Sequence, residues 1–83
     1  METIDKKEFK TLTKTEQVIM LFSEGKEVSE RIEAGFEIHL FRLPGLFVEL
    51  WYPSKTRKIV KVKIVNPDKI KKDYKNFKEL DIV

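Results

Sequence analysis

The first regular pattern of apolar residues along the chain is helical, with side chains at positions i, i+3 and i+4: Val18, Leu21 and Phe22. Thr13 and Glu16 stand just before this stripe at the spacing of a capping box, in which each side chain bonds an unpaired backbone N–H. The pattern predicts a helix over residues 14–24. Gly25 follows it, as is typical of a helix that ends in a left-handed residue.

From residue 31 onward the apolar period changes to two, which is typical of half-buried strands. Three such runs, separated by turn-forming segments, predict strands over residues 36–42, 46–52 and 58–65. A last helix is predicted to begin at Asn66, with Asn as its N-cap and Pro67 in its first turn. The fold class is therefore α+β in the order α-β-β-β-α, with a three-stranded antiparallel meander and the helices packed on one face.

The parity of the apolar positions decides which strand residues should face one another. A three-residue loop over residues 43–45 would pair Leu40 with Val48, and the second turn would pair Val48 with Val62. All even-numbered strand residues then form one apolar face, which both helices are expected to cover. The odd-numbered face is left for solvent or for a partner.

The chain of 83 residues is short enough to form one domain. Residues 1–12 are mostly polar and fit either an arm or an extra helical turn, so the α+β domain is assigned to residues 13–83. The longest apolar run has five residues, whereas about 20 are needed to span a bilayer, and no signal peptide is visible. With no cysteine for a disulfide framework, we expect a cytoplasmic protein with no membrane partner.

Candidate catalytic chemistry is confined to one row of the odd-numbered face, formed by His39, Glu49 and Lys61. A carboxylate beside a histidine can orient a general base, but no nucleophile or oxyanion donor accompanies this row. We favour the simpler explanation, in which opposite charges face each other across the strands of a solvated sheet. We therefore expect no enzyme activity from His39. One histidine with carboxylates on an open sheet is also a poor zinc site, so no metal and no cofactor are predicted.

The same odd-numbered face carries more large apolar side chains than a solvated sheet requires: Phe41, Phe47, Trp51 and Ile59. Exposed apolar patches mark interaction sites, and tryptophan is enriched at their energetic centres. Residues 1–12 folded across this face are the competing interpretation. We expect a non-enzymatic protein-interaction module that self-associates or docks on a larger protein, with Trp51 as its anchor.

The net charge of +3 conceals an asymmetry, because residues 54–83 hold ten Lys and Arg against four Asp and Glu. Four of these lysines lie on one side of the predicted last helix: Lys71, Lys72, Lys75 and Lys78. Such a stripe can neutralise phosphates, although lysines commonly just cover a solvated helix face. Nucleic-acid binding by this helix is the alternative function.

The predicted element order resembles that of the double-stranded-RNA-binding domain, whose basic last helix contacts phosphates. The resemblance is in element order, because the segment from Asn66 to Lys69 stands where that family has a glycine-rich lead-in. The order is also similar to that of small toxins that cleave messenger RNA with a catalytic histidine. His39 lacks the flanking Gly and Ser of those toxins, so no residue role is carried over.

Overall fold

The computed structural model describes residues 4–56 and 58–74, which form three helices and one four-stranded antiparallel sheet. The helices are α1 (Lys6–Thr11), α2 (Lys14–Glu24) and α3 (Pro67–Asp73). The strands lie side by side in chain order as β1 (Lys26–Glu33), β2 (Phe36–Leu43), β3 (Leu46–Pro53) and β4 (Lys61–Val65). The α+β class is confirmed. None of the helices in these described ranges is long and apolar enough to cross a membrane.

The helix starts follow the local signals in the sequence. Thr13 and Glu16 form the capping box that precedes α2, and the Asn66 side chain accepts a hydrogen bond from the backbone N–H of Lys69 at 2.9 Å. The expected left-handed end at Gly25 is wrong, because Gly25 has an extended φ of −86°. Glycine is needed there for space, since a Cβ would lie 2.7 Å from the carbonyl oxygen of Leu21.

The sheet has a fourth strand because the alternating run that begins near residue 31 is a hairpin. Ala34 and Gly35 form its two-residue turn at φ values of +50° and +84°, and Glu33 pairs directly with Phe36. Positive φ at both central residues matches the twist of a tight hairpin. The expected three-stranded meander is therefore wrong, and with it the resemblance in element order to the RNA-binding domain.

The turn between β2 and β3 has two residues where three were expected. Pro44 and Gly45 fill its two central positions, because Pro fixes a negative φ and Gly accepts one of +87°. Leu40 consequently lies opposite Glu49 rather than Val48, so the expected register is wrong. A shift of one residue moves every side chain of one strand to the other face of its neighbour.

The register between β3 and β4 is shifted by two residues, so Val62 lies opposite Leu50 rather than Val48. An even shift keeps the same side chains on the same face. The sheet faces expected for β3 and β4 are therefore right relative to each other, and the error lies between β2 and β3.

The helices pack on opposite faces of the sheet, not on one face as expected. On the face that we call the α1/α2 face, the buried core is formed by Phe9, Leu21, Phe41, Leu43, Leu46, Val48 and Leu50. On the face that we call the α3 face, the core is formed by Leu40, Phe47, Val65, Ile70 and Tyr74. Both faces of this small sheet are thus apolar, and each is covered by a different end of the chain.

The strained turn residue Ala34 gives a test of the extra hairpin. Asparagine tolerates positive φ better than alanine and is favoured before glycine in such turns. Ala34→Asn should therefore raise the free energy of unfolding by roughly 0.5–1 kcal/mol, measured from urea transitions. Gly35→Ala should lower it, because alanine is strained at a φ of +84°. A lower stability of Ala34→Asn would contradict this turn geometry.

Candidate functional site

The α3 face contains a buried carboxylate, that of Glu49, which is only 1% exposed. Its Oε1 accepts a hydrogen bond from Trp51 Nε1 at 2.9 Å. Its Oε2 accepts one from the Tyr74 hydroxyl at 2.8 Å and one from an Arg31 Nη2 at 3.3 Å. A buried charge is strongly destabilising when it lacks partners, so these three donors are what makes the position tolerable.

Arg31 joins the elements that surround this carboxylate. Its Cζ lies 5.6 Å from the ring centroid of Trp51 and 5.4 Å from that of Tyr74, and an Nη2 lies 3.7 Å from Asp73. Burial, reinforced by the Glu49 carboxylate, raises the pKa of the Tyr74 phenol above its ordinary value. The cluster ties β1, β3 and the end of α3 together, and its contacts are those of a structural network.

The four residues expected to form one aromatic face are divided between the two faces. Phe41 and Ile59 belong to the core of the α1/α2 face, whereas Phe47 is buried in the core of the α3 face. Trp51 is half-buried on the α3 face, with its ring centroid 5.8 Å from that of Phe36. The expected shared face is wrong because it depended on the wrong register. No single face therefore presents these four side chains together.

A second polar cluster lies on the α1/α2 face, around His39. The expected row with Glu49 and Lys61 does not form, because His39 lies opposite Leu50 and Glu49 points to the other face. Instead His39 Nδ1 lies 2.5 Å from a Glu27 carboxylate oxygen.

The other imidazole nitrogen, His39 Nε2, lies 2.6 Å from the Tyr52 hydroxyl and 3.6 Å from a Glu37 oxygen. The imidazole also stacks on the Tyr52 ring, with centroids 5.1 Å apart and planes at 13°. Contacts on both ring nitrogens and on one ring face hold the imidazole in a single orientation.

Glu30 completes this cluster because of an irregularity in β1. Glu27 lies opposite Phe41 and Ser29 lies opposite Leu40, so Val28 is the extra residue of a β-bulge. The bulge brings Glu27 and Glu30 to the same face, with one ligand atom from each and one from His39 within 4.8 Å of one another. We call Glu27, Glu30, His39 and Tyr52 the His39 cluster. The sequence-based expectation of no metal site considered neither Glu27 nor Glu30, because the first part of β1 was not predicted as a strand.

The lysines of the predicted basic stripe are only partly described. Lys71 and Lys72 are exposed on α3, whereas Lys75 and Lys78 lie outside the described residues. A different pair of basic side chains, Lys63 on β4 and Lys69 on α3, is in direct contact. Contact with Lys69, together with partial burial, lowers the pKa of Lys63. The sequence signal for this pair was weak, since it depends on where α3 docks.

Comparison with protein-family models, with curated proteins and with solved structures finds no match for this chain.

Tyr74→Phe tests the structural network on the α3 face. It removes a hydrogen bond to a buried carboxylate and keeps the ring, so the free energy of unfolding should fall by about 1.5–3 kcal/mol. Amide exchange at Ile70 should become faster as α3 loosens. The raised pKa of Tyr74 also makes stability depend on pH. The neutral phenol stabilises the fold fully below a pH of about 10 and less as the pH rises further, and this loss should be absent from the variant.

Tyr52→Phe is the matched control, because it makes the same chemical change on the opposite sheet face. It should leave amide exchange at Ile70 unchanged. Equal effects of the two substitutions on α3 would contradict a role for the Tyr74 hydroxyl in holding that helix.

Proposed function

We propose that the chain is a non-enzymatic protein-interaction module that self-associates through the outer side of α2. The observation that carries the proposal is the exposure of Ile19 and Phe22, which are 60% and 65% exposed although both belong to an uninterrupted apolar run. The other apolar residues of that run, Val18, Met20 and Leu21, pack against the core of the α1/α2 face.

A helix at the surface of a soluble domain normally has one apolar stripe and one polar face. In α2 the polar residues stand at the two ends, and the segment from Val18 to Phe22 is apolar through more than one full turn. The sheet lies against the inner side of α2, and the Phe22 ring makes a T-shaped contact with the Phe41 ring, with their centroids 5.7 Å apart. Covering the outer side would remove these two large side chains from water, which favours association.

The exposed stripe of α2 is suited to a second copy of the same chain. The neighbours of Ile19 at three and four residues are all exposed: Thr15, Glu16, Phe22 and Ser23. Two-fold symmetry around Ile19 would set Thr15 opposite Ser23 of the second copy, so small hydroxyl residues would flank the contact on both sides. Small residues let helices approach closely, and Glu16, the one charged residue among these neighbours, accepts a hydrogen bond from the backbone N–H of Thr13 at 2.8 Å.

Ile19→Lys should disrupt this association without unfolding the domain, since the Ile19 side chain is 60% exposed. We expect the dimer dissociation constant from sedimentation equilibrium to rise at least tenfold, equivalent to about 1.4 kcal/mol. Ile32→Lys is the matched control, because Ile32 is 73% exposed but lies on β1. It should leave the constant unchanged. A wild-type chain that stays monomeric at about 1 mM, where even weak association shows, would refute the proposal, as would equal effects of both variants.

A second candidate function, polyanion binding, is favoured by the close pair of Lys63 and Lys69. Two ammonium groups that repel each other are stabilised by an anion placed between them, and a nucleic-acid phosphate meets that requirement. Lys71 and Lys72 lie nearby on α3, and the Lys61 Nζ lies 4.9 Å from the Trp51 ring centroid. This surface lies on the α3 side of the sheet, so it does not compete with the association surface on α2.

Lys69→Gln tests this second function through its salt dependence. Each phosphate contact adds about −0.7 to −0.9 to the slope of log K against log salt, so the variant should flatten the slope by roughly that amount on an oligonucleotide. Lys55→Gln removes the same charge from the β3–β4 connection and should change the slope less. If the wild-type chain passes through a heparin column at about 50 mM salt, polyanion binding is excluded.

A further inference from the structure

We infer that Glu27, Glu30 and His39 form a binding site for a divalent transition-metal ion, with Zn²⁺ as the ion best suited to the ligands. This site is separate from the outer stripe of α2 and does not depend on self-association. Two carboxylates and one imidazole nitrogen come within 4.8 Å of one another, which is a distance that a single ion can bridge.

The β-bulge at Val28 is the structural feature that assembles the ligands. In a regular strand, residues three apart point to opposite faces, so Glu27 and Glu30 could not both reach His39. With the extra residue, Glu27 lies opposite Phe41 and Glu30 lies opposite His39 on the same face. Bulges commonly re-aim side chains next to functional sites.

Two like-charged carboxylates that converge on one imidazole nitrogen repel each other. Of the two carboxylates, only that of Glu27 is stabilised by a hydrogen bond with His39, in which its oxygen lies 2.5 Å from Nδ1. A cation in contact with Nδ1 and both carboxylates would stabilise the whole arrangement, because it offsets two negative charges at once.

The contacts behind His39 are those that a metal ligand requires. With Nδ1 bound to the ion, Nε2 carries the proton and donates it to the Tyr52 oxygen 2.6 Å away. Such a partner fixes the tautomer and the ring orientation of a ligating histidine. The stacked Tyr52 ring holds the imidazole plane from one side. Tyr52, which is not itself a ligand, thus holds the imidazole of His39 in its orientation.

The ligand set favours zinc over magnesium. Imidazole nitrogen suits zinc and its neighbours in the transition series, whereas magnesium prefers oxygen ligands and keeps its water. Three protein ligands leave one tetrahedral position for water or for a group of a ligand. The exposure of Glu27 and Glu30 keeps that side accessible.

The test is a titration of the full chain with Zn²⁺, followed by calorimetry and by the chemical shifts of the His39 ring. We expect saturable binding with one ion per chain, a shift at His39, and a rise in melting temperature with zinc concentration, because only the folded hairpin assembles the ligands. Mg²⁺ in the same range should produce none of these effects. Absence of saturable zinc binding would overturn the inference.

Glu30→Gln is the decisive variant, because Glu30 has no hydrogen bond to His39 that its loss would break. It should weaken zinc binding at least tenfold and abolish the zinc-dependent rise in melting temperature. Glu37→Gln is the matched control: Glu37 lies 3.6 Å from Nε2, on the side of the imidazole away from the ligand nitrogen, and should retain binding. Equal affinity of Glu30→Gln and wild type, with both folded by circular dichroism, would overturn the site.

Discussion

The buried carboxylate of Glu49 is the constraint on which the arrangement of the described residues depends. A charge with 1% exposure is tolerated only where donors surround it, and those donors come from β1, β3 and α3. Because Glu49 must face this network, its neighbours Val48 and Leu50 must face α1 and α2. One polar group therefore decides which face of β3 receives α3, in agreement with the register that the Pro44–Gly45 turn imposes between β2 and β3.

Signals that act over a few residues were readable in the sequence, and signals that act across the sheet were not. The α2 capping box and the Asn66 cap depend on side chains three residues away, so both were predicted. The hairpin turn at Ala34 was missed because the alternation of apolar residues continues through the turn. The apolar residues before the turn and those after it nevertheless lie on opposite faces of the sheet. Glu49 was assigned to solvent because a buried carboxylate and a solvated one look the same in the sequence when two of its three donors lie 18 and 25 residues away.

The His39 cluster was beyond prediction for a related reason. Glu27 and Glu30 are spaced so that a regular strand would separate them, and no glycine or proline marks the bulge at Val28. The bulge acts on both faces of the sheet. It turns Val28 toward the core beneath α3, and it turns both glutamates toward His39. The same irregularity of the backbone therefore explains both the packing of Val28 and the convergence of Glu27, Glu30 and His39.

The two faces of the sheet differ in what they leave for a partner. On the α3 face, both oxygens of the Glu49 carboxylate accept their hydrogen bonds from donors within the chain. On the α1/α2 face, the helices leave the outer stripe of α2 and the His39 cluster accessible, and the two are joined by Phe41. Its ring contacts Phe22, and its backbone lies opposite Glu27 across the β1–β2 ladder. Phe41 is itself buried in the core of the α1/α2 face, so the packing of this one side chain helps to position both surfaces.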